Sequence, residues 1–146
     1  MIHPFPSGRL ARRLGILLAA ACVGLATPVL AGQQLGVRLV EASGGPARTD
    51  PALKDVEAML KGNLPFSQFR LVDRTAVRLP ATQQAAQLKG GVVMRFNGDQ
   101  QKLAVTMEQG GRVVLQTQIA IHDGVPLVLG GFPSGGGRMM IVLVVR

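Results

Sequence analysis

From Gln68 onward, up to a last strand that is apolar throughout, the hydropathy of this chain runs with a period of two, interrupted at intervals by glycine-containing pairs. A period of two puts successive side chains on opposite faces of an extended strand, so this stretch is confined to β-structure with one buried and one wet face. The clearest instance sets Val113, Leu115, Ile119 and Ile121 against Gln116, Gln118 and His122. Upstream, Phe69, Leu71, Val77 and Leu79 share one parity, and Arg70, Arg74 and Arg78 take the other. Turn signals divide the rest into a meander. Val92–Phe96 is followed by Asn97-Gly98, and Lys102–Glu108 by Gly110-Gly111. Arg112–His122 is closed by Asp123-Gly124 and answered by Val125–Leu129. Such pairs tolerate the positive φ angles of tight hairpins. The last strand, Arg138–Val145, is apolar on both parities and calls for cover on both faces.

Ahead of the meander, Gln34–Ala42 alternates as a first strand, ended by Ser43-Gly44-Gly45-Pro46. One helix follows. Asp50 is placed to cap it, Pro51 suits its first position, and Leu53, Val56 and Leu60 mark one face. Gly62-Asn63 and Pro65 stop it. A helix of about three turns is unstable alone and must lay its apolar stripe on a sheet. The expected fold is α+β, mainly β: an antiparallel sheet or sandwich of about seven strands with one short helix across it.

The first 31 residues have another pattern. Arg9, Arg12 and Arg13 precede an apolar run from Leu14 to Leu25, followed by Ala26-Thr27-Pro28-Val29-Leu30-Ala31. Positive flank, short apolar core and small-residue exit are the order of a secretory signal peptide, with cleavage expected after Ala31. The division is then 1–31 as signal peptide and 32–146 as one β-rich domain, periplasmic or secreted, with no transmembrane segment after cleavage. An uncleaved anchor is one rival. Lipidation at Cys22 is another, although Ala19-Ala20-Ala21 lacks the large aliphatic residue such a site favours. Arg12-Arg13 followed by Leu14-Gly15 does not continue a twin-arginine signal. Without the three leader arginines, thirteen cations face eight acids, a net charge of +5, and no cysteine remains.

That composition excludes a disulfide scaffold and a cysteine zinc site, and its apolar content argues for a folded domain. Acid–base chemistry is sparse. His122 is the one histidine beyond the leader, with Asp123 next to it and Ser134 as a conceivable nucleophile. But His122 lies on the wet parity, and Asp123 serves the turn. Among the carboxylates, Asp50 reads as a cap, Asp55 and Glu57 as wet helix residues, and Asp99 and Asp123 as turn residues. Glu41, Asp73 and Glu108 stay unassigned, and Asp73, on an apolar parity, suggests a bend at Val72-Asp73-Arg74. Met94, Met107, Met139 and Met140 are soft thioether donors, but their positions are those of β-core gap filling. No catalytic, cofactor or metal residue is expected.

Two features suit a partner. The run Gly130–Arg138 reads as a flexible hairpin loop, which would present Phe132 and Arg138. Arg70, Arg74 and Arg78, about 13 Å apart along one strand face, would form a basic stripe for an envelope protein or an anionic surface ligand. The alternative is an ordinary solvated face, since solubility alone rewards such residues. Nucleic acid is not expected without aromatic stacking platforms. A transmembrane barrel is disfavoured without Trp or Tyr girdles.

Two strings are similar to a known family. Gln34-Leu35-Gly36-Val37-Arg38-Leu39-Val40-Glu41-Ala42 resembles the opening strand of the bacterial secretin homology domain. Gln116–Phe132, QTQIAIHDGVPLVLGGF, resembles its later hairpin, where Asp-Gly leads into an aliphatic strand ending in Gly-Gly. The resemblance implies β-structure and kinship with multimeric outer-membrane channels of secretion and pilus systems. It covers under a quarter of the chain after the leader. A secretin is far longer and inserts much more chain between the two strings, so no pore residue carries over. The expectation is an exported, non-enzymatic binding domain of the cell envelope. The alternative is a structural or accessory component of a secretin-type assembly, oligomerising by strand-edge pairing.

Overall fold

The structure is a computed structural model that describes residues 32–146. The expected signal peptide, Cys22 included, lies outside the described residues. Among the described residues nine strands form two sheets, two more strands than the sequence suggests. The five-stranded sheet has the order β2 (Arg48–Thr49), β3 (Gln68–Leu79), β1 (Gln33–Ser43), β9 (Gly137–Val145), β8 (Leu127–Ser134). The four-stranded sheet is a meander of β4 (Ala81–Leu88), β5 (Val92–Gly98), β6 (Leu103–Gln109) and β7 (Arg112–Ile119). Every pairing is antiparallel except that of β2 with β3. Among the described residues no helix is long and apolar enough to cross a membrane.

The five-stranded sheet lies in the middle, with a core on each face. On one side Leu35, Val37, Leu39, Ile141, Leu143 and Val145 pack with Met94, Phe96, Leu103, Val105 and Met107 of the smaller sheet. On the other, Val40, Ala42, Met140, Val142 and Val144 receive Leu53, Val56 and Leu60. β9 therefore serves both cores, its odd residues facing the small sheet and its even residues the helix. This is the two-sided cover that its continuous apolar run requires, and β9 lies inside the sheet between β1 and β8. All the buried side chains among the described residues are apolar.

The helical layer begins as a 3₁₀ helix, Pro51–Val56, and becomes α1 only at Glu57–Asn63. Asp50 caps it as expected, accepting from the Ala52 N–H at 3.0 Å. A spacing of three, Leu53 to Val56, suits the 3₁₀ period, and a spacing of four then carries the stripe to Leu60.

Several turns differ from expectation. Gly110-Gly111 forms the two-residue hairpin, both glycines at positive φ between Gln109 and Arg112. Asn97-Gly98 does not. Both belong to β5, and the turn is Asp99–Lys102, where the Asp99 carboxylate accepts from the N–H groups of Gln101 and Lys102. Asp123-Gly124 closes no hairpin either: β7 and β8 belong to different sheets. The pair marks the crossing, with Gly124 N–H donating to Val145 O. Gly130–Arg138 is no loop. β8 and β9 continue to a turn at Gly135-Gly136, and the two chains pair through Phe132–Met139, Pro133–Arg138 and Ser134–Gly137.

Candidate functional surface

The surface is best understood from where the carboxylates go. All eight are engaged inside the fold. Asp50 caps the helical layer and also accepts from Leu71 N–H. Asp99 holds its turn. Asp123 accepts from the side chains of Gln33 and Gln100, not from His122, so no oriented His–Asp pair is built. Asp73 accepts from Arg74 N–H and from Lys89 N–H, fastening the β4–β5 turn to β3. Glu41 pairs with Arg70 at 3.0 Å, Glu57 with Lys61 at 2.5 Å and Glu108 with Arg95 at 3.2 Å. Asp55 takes two partners: Arg38 grips both its oxygens at 2.8 Å, and Arg146 reaches it at 2.6 Å. The Arg38 hydrogen bond pulls the Asp55 carboxyl below the usual carboxylate range, against the opposing effect of burial. The Lys61 contact lowers Glu57 in the same way.

The consequence is a surplus of bare cations. Arg48, Lys54, Arg74, Arg78, Lys89, Lys102, Arg112 and Arg138 are exposed and have no acidic partner among the described residues. Solvent-facing charge without a counter-charge sets up a positive potential that falls off over a Debye length.

The arginines of β3 do not share a face. Between Leu39 and Val40 of β1 the register of β3 slips, so that Asp73 opposes Leu39, Leu71 opposes Val40, and Val72 is extra. A bulge of one residue reverses the parity of all that follows. Phe69 and Leu71 therefore point to the helix, whereas Val77 and Leu79 point to the small sheet. Arg70 ends up on the side of Glu41, its ion-pair partner. Arg74 and Arg78 lie on the opposite, helical side, across from Arg38 and Gln34 of β1. The expected stripe of three is thus divided into one paired arginine and two unpaired ones. The Val72-Asp73-Arg74 bend is this bulge.

β2 covers β3 only at Gln68 and Phe69, so Arg74 and Arg78 stand where, among the described residues, no strand pairs with the outer edge of β3. Charged side chains and a bulge at an open edge keep other strands away. Beside β2 is a cleft of about 430 Å³ lined by Glu41, Ser43, Arg48, Asp50, Gln68 and Arg70. Sequence reasoning passed over Arg48. Its signal was composition alone, a cation between a Gly-Gly-Pro turn and a cap.

The other singled-out residues have structural places. Phe132 is half-buried and packs against the core between the sheets, so it is not an exposed tip. Arg138 is exposed and donates to Gly131 O at 3.2 Å. Met94 and Met107 face each other on β5 and β6, fully buried in the core that also holds Met139, while Met140 belongs to the helical core. Among the described residues no group of three or more His, Cys, Asp or Glu could hold a metal ion. Comparison of the chain with protein-family models, curated proteins and solved structures returns no match.

Proposed function

We propose that this chain is an exported, non-enzymatic interaction domain of the bacterial cell envelope that binds the acidic face of another envelope protein. The observation that supports it is the asymmetry of charge engagement: all eight carboxylates are tied up within the fold, and eight exposed cations have no acidic partner among the described residues. Arg74 and Arg78 are the centre of this reading, and Arg48 beside the cleft extends it. The envelope location rests on the leader-like order of residues 1–31. Association steered by such a surface is fast and salt-sensitive.

The test uses the full-length chain with a C-terminal tag, expressed with its own N-terminus, to capture partners from an envelope fraction. The expected result is a protein retained at low salt, released at high salt, and not retained by Arg74→Glu/Arg78→Glu. Capture indifferent to both salt and charge reversal overturns the reading. So does binding to anionic-lipid vesicles with no protein retained.

A second reading, a structural or accessory component of a secretin-type assembly, is favoured by one observation. The outer edge of β7 carries Val113 at 57% exposure and Val114 at 42%, beside backbone that pairs with no other strand among the described residues.

A further inference from the structure

The two sheets have four outer edges, and they are not equally protected. On β3 the edge has its bulge, Arg74 and Arg78. On β8 it has Pro133 and a bulge between Leu129 and Phe132. β4 is irregular between Ala81 and Gln84, with Gln83 at positive φ. On β7 the irregularity falls between Met107 and Glu108 of its neighbour, so Val114 is the extra residue and Leu115–Ile119 runs in regular register. From Val113 to Ile121 the chain carries no charge and no proline. An edge of that kind is a template for another strand.

The regular segment also reads the same in both directions: Leu115-Gln116-Thr117-Gln118-Ile119, apolar, amide, hydroxyl, amide, apolar. We infer that β7 pairs with β7 of a second copy, antiparallel, about a two-fold axis at Thr117. Antiparallel pairing sets directly opposed residues on the same face, so this axis pairs Leu115 with Ile119, Gln116 with Gln118, and Thr117 with itself. Leu115 and Ile119 are half-buried at the margin of the core between the sheets, and each covers the other across the new boundary. Gln116 and Gln118 are exposed and exchange amide hydrogen bonds on the outer face. Arg112 falls beyond the paired segment, so no like charges oppose. Val113 and Val114 lie against the partner's chain just past its Ile119. The four-stranded sheets become one of eight strands, and because the contact is isologous it closes at two copies.

β4 offers no comparable match. A two-fold at Ala86 would set Gln84 against Leu88. A single strand pair buries less than a standard interface of about 1,600 Å², so the dimer is weak and concentration-dependent.

The pairing shares only its edge with the second functional reading and nothing with the cation surface. It is tested by sedimentation velocity on the full-length chain across a concentration series, with two outward-facing double variants. Gln116→Lys/Gln118→Lys puts ammonium groups opposite each other twice and is expected to weaken the dimer at least about tenfold. Gln116→Lys/Gln118→Glu places Lys opposite Glu at the same two positions and is expected to restore it. Both positions are exposed, so folding, checked by circular dichroism, is preserved. A parent chain that stays monomeric throughout overturns the inference, as does equal dimerisation of the two variants. A monomeric chain that crosslinks through β7 to a different protein overturns it too, while leaving the second functional reading intact.

Discussion

Gly131 shows how one atom can decide a local structure. Where the register between β8 and β9 slips, a Cβ at Gly131 would lie 1.5 Å from Met139 O, a backbone atom that cannot rotate away. Gly131→Ala must therefore open the hairpin or displace β9, which serves both cores. The expected loss is at least about 2 kcal/mol, seen as a lower urea midpoint, while Gly136→Ala, with open space around it, stays within about 0.5 kcal/mol. Asp55 makes a different residue-scale prediction. Its folded carboxyl titrates below the ordinary value of 3.8, chiefly because Arg38 hydrogen-bonds to the charged form. A lowered folded value stabilises the protein fully above the ordinary carboxylate range, and that stability is lost as the pH falls through the lower folded value. The group is partly solvated, so its worth is about 1 kcal/mol or less. Asp55→Asn is expected to melt slightly below the parent at neutral pH, and the two melting curves should converge as the solution is acidified below the carboxylate range. An undiminished difference in acid would show that the Arg38–Asp55–Arg146 cluster acts by packing rather than charge.

At the scale of elements, what the sequence discloses depends on whether the signal is local. The alternation of Leu35, Val37 and Leu39, the two-sided run of β9 and the cap at Asp50 are all local, and all predict their elements correctly. β4 escapes notice because Ala81–Leu88 is built mostly from Ala and Gln, with no β-branched residue beyond Thr82, although Gly90-Gly91 turns the chain behind it. It is a strand because Ala81, Ala86 and Leu88 are covered by the facing sheet, which is a tertiary cause. The β3 bulge is hidden for the same reason: Val72 and Asp73 look like a bend, and only pairing with β1 shows that parity reverses there. The candidate surface suffers most. Arg70, Arg74 and Arg78 are legible as cations, but which of them is paired depends on that bulge, and the exposure of Val113 follows from the bulge at Val114. The helical layer docks on the sheet through Leu53, Val56 and Leu60, so it offers a sharp test. Leu53 is fully buried against the sheet, and Leu53→Ala is expected to cost about 2–4 kcal/mol, read as a shift in denaturation midpoint. Ala58→Gly, on the exposed side of the same layer, should cost about 1 kcal/mol or less. A comparable cost for both would mean that helix propensity, not docking, holds the layer.

For the molecule as a whole, the decisive feature is that its two cores are not independent. Met139, Ile141, Leu143 and Val145 belong to one, and Met140, Val142 and Val144, alternating with them on the same strand, belong to the other. β1 is divided likewise, with Leu35, Val37 and Leu39 on one side and Val40 and Ala42 on the other. Neither core can come apart by withdrawing β1 or β9 without exposing the far face of the same strands. The two-layer sandwich and the helical layer are therefore expected to unfold in one transition. The chain contains no Trp and no Tyr, so an introduced indole is a clean reporter. Phe66 is half-buried against the helical core and Phe132 against the core between the sheets, so each reports on one core from its margin. Phe66→Trp and Phe132→Trp, each followed by fluorescence through a urea titration beside circular dichroism, should give the same midpoint and the same dependence on denaturant. An earlier transition in the Phe66→Trp variant's fluorescence alone would mean that the helical layer undocks while the sandwich stands, and that the shared strands transmit too little to couple the cores.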